Sequence, residues 1–69
     1  MVLVFKTKLK QIQEHFVKTV LSEFQEIEKI QIDFEDIDKV LRIVSKKDLT
    51  KDIIRKMKEN RLYCDELLD

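Results

Sequence analysis

Five cations, Lys46, Lys47, Lys51, Arg55 and Lys58, crowd one stretch of the chain. On a helix, Lys51, Arg55 and Lys58 share one stripe, and such a stripe grips phosphate oxygens. Base-edge readers are scarce there, Arg55 and Asn60 apart, so this surface would hold a nucleic acid by its backbone rather than read its sequence. A second cluster, Asp33-Phe34-Glu35-Asp36-Ile37-Asp38, has the oxygen density of a calcium loop. Its spacing fails, because an EF-hand loop needs Gly at its sixth position and Glu at its twelfth. Carboxylates at the start of a helix, where they meet the positive end of the helix dipole, account for it better.

Nucleophilic or acid–base chemistry has little to work with. The chain holds one His, one Cys and two Ser. His15 has no Glu-x-x-His partner of the di-metal bundles, and nothing beside Cys64 in sequence marks it as activated. A lone cysteine forms no internal disulfide and suits a reducing, cytoplasmic setting. Glycine is absent, which removes the close backbone approach on which P-loop and dinucleotide-binding turns depend. The expectation is a non-enzymatic protein with no metal and no cofactor.

Positioning any of these groups falls to elements that must be read from periodicity. Leu9, Ile12, Phe16, Val20, Phe24 and Ile27 recur at steps of three and four, which predicts one long helix over about 5–30. Asp33 then suits the N-cap of a second helix over about 34–46, with Phe34, Ile37, Val40, Leu41 and Val44 as its apolar face. Thr50, with Asp48 as the competing cap, starts a third over about 51–67, with Leu49 positioned to staple against Ile54, and with Ile53, Ile54 and Met57 facing inward. Ile30-Gln31-Ile32 alternates briefly and is read as a connection, for want of a partner strand. The fold class that follows is all-α, a three-helix bundle forming a single domain over 1–69.

With 69 residues, the core of a monomer is marginal without a staple or a partner. The first apolar run, Met1 to Phe5, is neither a signal peptide nor a membrane span. Net charge is zero but segregated. Residues 1–21 carry +3 (Lys6, Lys8, Lys10 and Lys18 against Glu14), 22–38 carry −6, 39–61 carry +6 and 62–69 carry −3. In an antiparallel bundle these blocks make a basic pole and an acidic pole that orient an encounter.

The function read from these features is a helical protein–protein interaction module, an oligomerising adaptor or modulator of a larger partner. Val4, Phe5, Leu9, Phe16, Val17, Leu21 and Phe24 would form its interface, and a homodimer is the favoured assembly. The alternative is a dimeric nucleic-acid-binding regulator in which the basic third helix serves a helix-turn-helix-like unit. Membrane association is not expected.

Overall fold

The computed structural model describes residues 1–68 and places them in an α+β fold, not an all-α one. Strand β1 (Val2–Thr7) leads through a 3-10 turn (Gln11–Gln13) into helix α1 (Glu14–Leu21). Strands β2 (Ile27–Asp33) and β3 (Val40–Ser45), helix α2 (Thr50–Glu59) and strand β4 (Cys64–Glu66) follow. The four strands form one antiparallel sheet in the order β2-β3-β1-β4. A βαββαβ chain with this order has the split βαβ, or ferredoxin-like, topology, which by itself implies no function.

The three predicted helices are therefore corrected. The long helix over 5–30 is a strand, a short helix and most of a second strand. The helix over 34–46 is a turn followed by β3. The helix over 51–67 is α2, which stops at Glu59, followed by β4. The reason is legible in residue types. Val2-Leu3-Val4-Phe5, Ile27 to Ile32 and Val40 to Val44 are dense in β-branched and aromatic side chains, which pack well on a pleated surface. Each run also alternates in burial: Leu3, Phe5 and Thr7 are buried while Val2 is exposed, and Leu41, Ile43 and Ser45 are buried while Arg42 is exposed. Strand partners remote in sequence then supply the backbone hydrogen bonds that local helix would have supplied.

Both helices lie on one side of the sheet. Leu3, Phe5, Leu41 and Ile43 from the central strands meet Val17 and Leu21 of α1 and Ile53 and Met57 of α2, with Leu9, Leu49 and Leu62 closing the ends. The two buried polar side chains are bonded. Thr7 Oγ1 donates to the Lys39 carbonyl at 2.5 Å and accepts from Leu9 N–H at 3.2 Å, while Ser45 Oγ accepts from Lys47 N–H at 3.3 Å.

Two ends are made without glycine. Past α2, Leu62 N–H bonds to the Met57 carbonyl at 2.9 Å and Arg61 N–H to the Lys58 carbonyl at 2.9 Å, the paired bonds of a Schellman motif. Leu62 and Met57, the motif's apolar pair, are both buried. Arg61 takes the left-handed position with φ 60°, and Lys39 does so with φ 45° before β3. Neither Thr50 nor Asp48 holds the N-cap of α2, which is Leu49 with no side-chain cap bond; one residue before it, Asp48 Oδ1 accepts from Thr50 N–H at 3.0 Å and from Thr50 Oγ1 at 2.5 Å. These bonds favour the charged carboxylate and hold Asp48 below the usual aspartate range.

Candidate interaction surface

With both helices on one side, alternation sends the remaining strand side chains to an uncovered face. Three rows cross it. Lys29 of β2 stands beside Val44 of β3, which stands beside Val2 of β1. Gln31 stands beside Arg42, which stands beside Val4. Asp33 stands beside Val40, and Lys6 beside Asp65 of β4. Arg42 holds the middle of these rows, and to one side of it Val2, Val4 and Val44 form a valine cluster in which Val2 is 61% exposed and the other two are half-buried, while Val40 is buried. Lys6, Lys29 and Arg42 border the cluster. No aromatic side chain occupies the described strands on this side, so the ring-stacking platform of RNA-binding sheets is missing.

The residues singled out from sequence are distributed otherwise than a single helical interface would require. Phe5, Leu9, Val17 and Leu21 lie in the chain's own core, none more than 2% exposed. Their burial accounts for their apolar character without a partner. Phe24 packs partly against the same core. Phe16 is 48% exposed on α1, one helical turn from Ile12, which is 90% exposed. Val4 alone of the seven belongs to the open face.

Lys46 and Lys47 sit in the connection after β3, and Lys51, Arg55 and Lys58 on the exposed side of α2. Acids are interleaved with them: Lys47 pairs with Glu26 at 3.4 Å and Arg55 with Asp52. Lys56, beside them on α2, pairs with Glu23, which raises the lysine's pKa. Glu26 is held below the usual glutamate range, first by a backbone hydrogen bond and then by Lys47. The element before α2 is strand β3, so the helix-turn-helix arrangement is corrected: a strand cannot serve as its first helix. The basic and acidic poles expected of an antiparallel bundle lose their basis with the bundle itself.

The acidic segment forms turns. Asp33 Oδ1 accepts from the N–H groups of Glu35 and Asp36 at 3.1 and 3.2 Å, and Asp36 Oδ1 from Asp38 N–H at 2.8 Å. Asp33 thus caps a turn rather than the expected helix, and these oxygens are engaged by backbone. Among the described residues no cluster of three His, Cys, Asp or Glu side chains is placed to hold a metal ion, and no helix is long and apolar enough to cross a membrane. His15 is exposed on α1. Cys64 is half-buried against the core, and burial, with a smaller push from Asp65, raises its thiol to about 12. A thiol so raised is a poor nucleophile near neutral pH.

Sequence reasoning missed Val2, Val44, Lys6, Lys29, Gln31 and Arg42 as one surface. Their signal was the alternation within Val2 to Lys6 and Val40 to Val44, which places every second residue on the same side once both runs are read as strands. In comparisons with known proteins, no family model, no curated protein and no solved structure matches the chain.

Proposed function

We propose that the chain is a non-enzymatic protein–protein interaction module whose contact surface is the open face of the sheet. The observation that carries this reading is the cluster of Val2, Val4 and Val44 on the open face, with Val2 exposed and the other two half-buried, bordered by Lys6, Lys29 and Arg42. An apolar centre with a charged rim is the composition of a specific protein contact. The rim cations favour a partner whose apolar segment is flanked by carboxylates. A reducing compartment fits the lone Cys64.

Site-specific photocrosslinkers at positions 2 and 44 test this in the cell of origin, with position 19 on α1 as the control. The expected result is one common protein adduct at positions 2 and 44, absent at 19 and weakened by Arg42→Glu. Equal labelling at all three positions, or no adduct at 2 and 44, would refute the reading.

A second reading, nucleic-acid contact through α2, draws on Lys46, Lys51 and Lys58, which are exposed and make no ion pair among the described residues. It predicts oligonucleotide binding that falls steeply with salt and is lost in the Lys51→Glu, Arg55→Glu double variant. No binding at low salt would remove it.

A further inference from the structure

Strand β2 is an edge of the sheet, and its free side is open along Lys29 to Asp33. Which backbone groups face outward follows from the neighbouring strands. Ser45 N–H donates to the Met1 carbonyl at 2.9 Å, and the Met1 ammonium donates to the Ser45 carbonyl at 2.7 Å. The peptide groups of Ser45 therefore face β1. Alternation along β3 turns those of Val44, Arg42 and Val40 toward β2, and Lys46 N–H, in the same phase, donates to the Glu26 carbonyl at 3.0 Å. Lys29, Gln31 and Asp33, paired with those three residues, are bonded to β3. The N–H and C=O groups of Ile30 and Ile32 point to the free edge.

An unpaired edge is a template for another strand, and proteins ordinarily blunt it with charge or a bulge. Both devices occur in β2, but the bulge lies between Ile27 and Lys29 and leaves 29–33 regular. The two charges on the open face of that segment, Lys29 and Asp33, are opposite in sign and symmetric about Gln31.

We propose that the chain forms a two-fold homodimer in which β2 pairs antiparallel with β2 of a second copy, centred on Gln31, so that two sheets join into one of eight strands. In this register Ile30 lies opposite Ile32 of the second copy, and each of these pairs exchanges both free backbone hydrogen bonds. On the open face, Lys29 lies opposite Asp33 of the second copy twice over, once on each side of the axis. Neighbouring registers lack this match. Centring on Ile30 sets Lys29 against Gln31 and Asp33 against Ile27, whereas centring on Ile32 sets Asp33 against Gln31 and Lys29 against Glu35, which lies in the turn beyond the end of β2. Directly opposed charges of opposite sign stabilise an antiparallel pair, and like charges there destabilise it. On the helix side, the partly buried Ile30 and Ile32 of β2, with Phe24 and Ile27 along the same cleft as Ile30, are the apolar surface that such a junction covers. The pairing uses the strand edge rather than the valine cluster, so it succeeds or fails separately from the reading of the open face.

Charge reversal tests the register. Lys29 and Asp33 are both exposed, and since Asp33→Lys also loses the turn bonds from Glu35 and Asp36 N–H, circular dichroism verifies the fold of each variant and Lys29→Asp alone carries the test free of that loss. Light scattering from micromolar to millimolar concentration is expected to show a mass of twice 8.4 kDa. Lys29→Asp and Asp33→Lys each turn both opposed pairs repulsive and should raise the dissociation constant roughly tenfold or more. The double variant restores the dimer, and an equimolar mixture of the two single variants forms a heterodimer, because every opposed pair is then attractive again. Amide exchange at Ile30 and Ile32 should slow as concentration rises. A monomer at millimolar concentration, a dimer indifferent to both reversals, a double variant that stays weakened, or a dimer in which the Ile30 and Ile32 amides exchange as in the monomer would each overturn the proposal. The last would show that copies meet on a different face.

Discussion

Phe5 and Phe16 are the same residue type in segments that a helical reading places on one interface, and the structure gives them opposite fates. Phe5 is fully buried in β1, paired across the sheet with Leu41 on one side and Glu66 on the other. Phe16 keeps 48% of its surface in water. Truncating a fully buried phenylalanine to alanine costs about 3–5 kcal/mol, the sum of lost transfer and an unfilled cavity. Truncating a half-exposed one forfeits about half of a roughly 2 kcal/mol transfer contribution and leaves no enclosed void, so about 1 kcal/mol is expected. A domain of this length has a total stability of roughly 3–10 kcal/mol. Phe5→Ala therefore removes a third of the stability or all of it, and Phe16→Ala does not approach that. The assay is urea unfolding followed by far-ultraviolet circular dichroism, with Phe5→Leu included as a variant that stays folded and loses about 1 kcal/mol. At a slope near 1 kcal/mol/M, Phe16→Ala and Phe5→Leu should each lower the midpoint by about 1 M, while Phe5→Ala lowers it by about 3 M or leaves no folded baseline. Similar midpoints for Phe5→Ala and Phe16→Ala would refute the placement of Phe5 at the centre of the core, and with it the strand register of β1.

Two further outcomes are open to simple measurement. Arg61→Gly should raise stability by roughly 0.5–1 kcal/mol, because φ 60° strains a residue with a Cβ and leaves glycine unstrained; an unchanged or lowered melting temperature would count against the left-handed end of α2. The Cys64 thiol, raised from 9.0 to about 12, holds about a thousandfold less thiolate at pH 8 than an ordinary cysteine. Its disulfide-exchange rate with an aromatic disulfide should be correspondingly slow, climb with pH past 9, and match a free thiol only in denaturant, whereas a fast reaction in the native protein would show that Cys64 is not buried.

The fold was half legible. The segment from Thr50 to Met57 announced α2 because Ile53, Ile54 and Met57 fall on one helical face and Asp52 lies in its first turn. Val17, Val20 and Leu21 announced α1 in the same way, and both helices are real. The error lay in extending them. An apolar residue at every second position also supplies pairs four apart, so Leu9, Ile12 and Phe16 could be threaded to Phe24 and Ile27 as one stripe, although Ile12 proves 90% exposed. Helix ends were hidden because the chain has neither Gly nor Pro; Arg61 and Lys39 occupy the positions where glycine would have signalled a stop. The alternation at Ile30-Gln31-Ile32 shows no partner strand while its actual partner, Val40 to Val44, reads as a helix face. Of the candidate surface only Val2 and Val4, in the apolar run at the start of the chain, are legible as a contact, since the open face exists only when β1 is laid beside β3, more than thirty residues away in sequence.

The strand order has a consequence for how the molecule is made. Strand β1 is synthesised before the other three strands, but it sits inside the sheet, between β3 and β4, with Phe5 opposite Glu66. No nascent chain can pair both sides of that strand until Cys64–Glu66 has left the ribosome. Until then the run Val2 to Phe5 presents a bare edge of high β-propensity, the kind of segment on which stalled chains adhere to one another. Pairings between such distant residues also fold more slowly than the local contacts of a helical bundle of equal length. Truncation before Cys64 would leave β1 in that waiting state permanently, and the short β4, three residues long, thus acts as the lock on a strand made some sixty residues earlier.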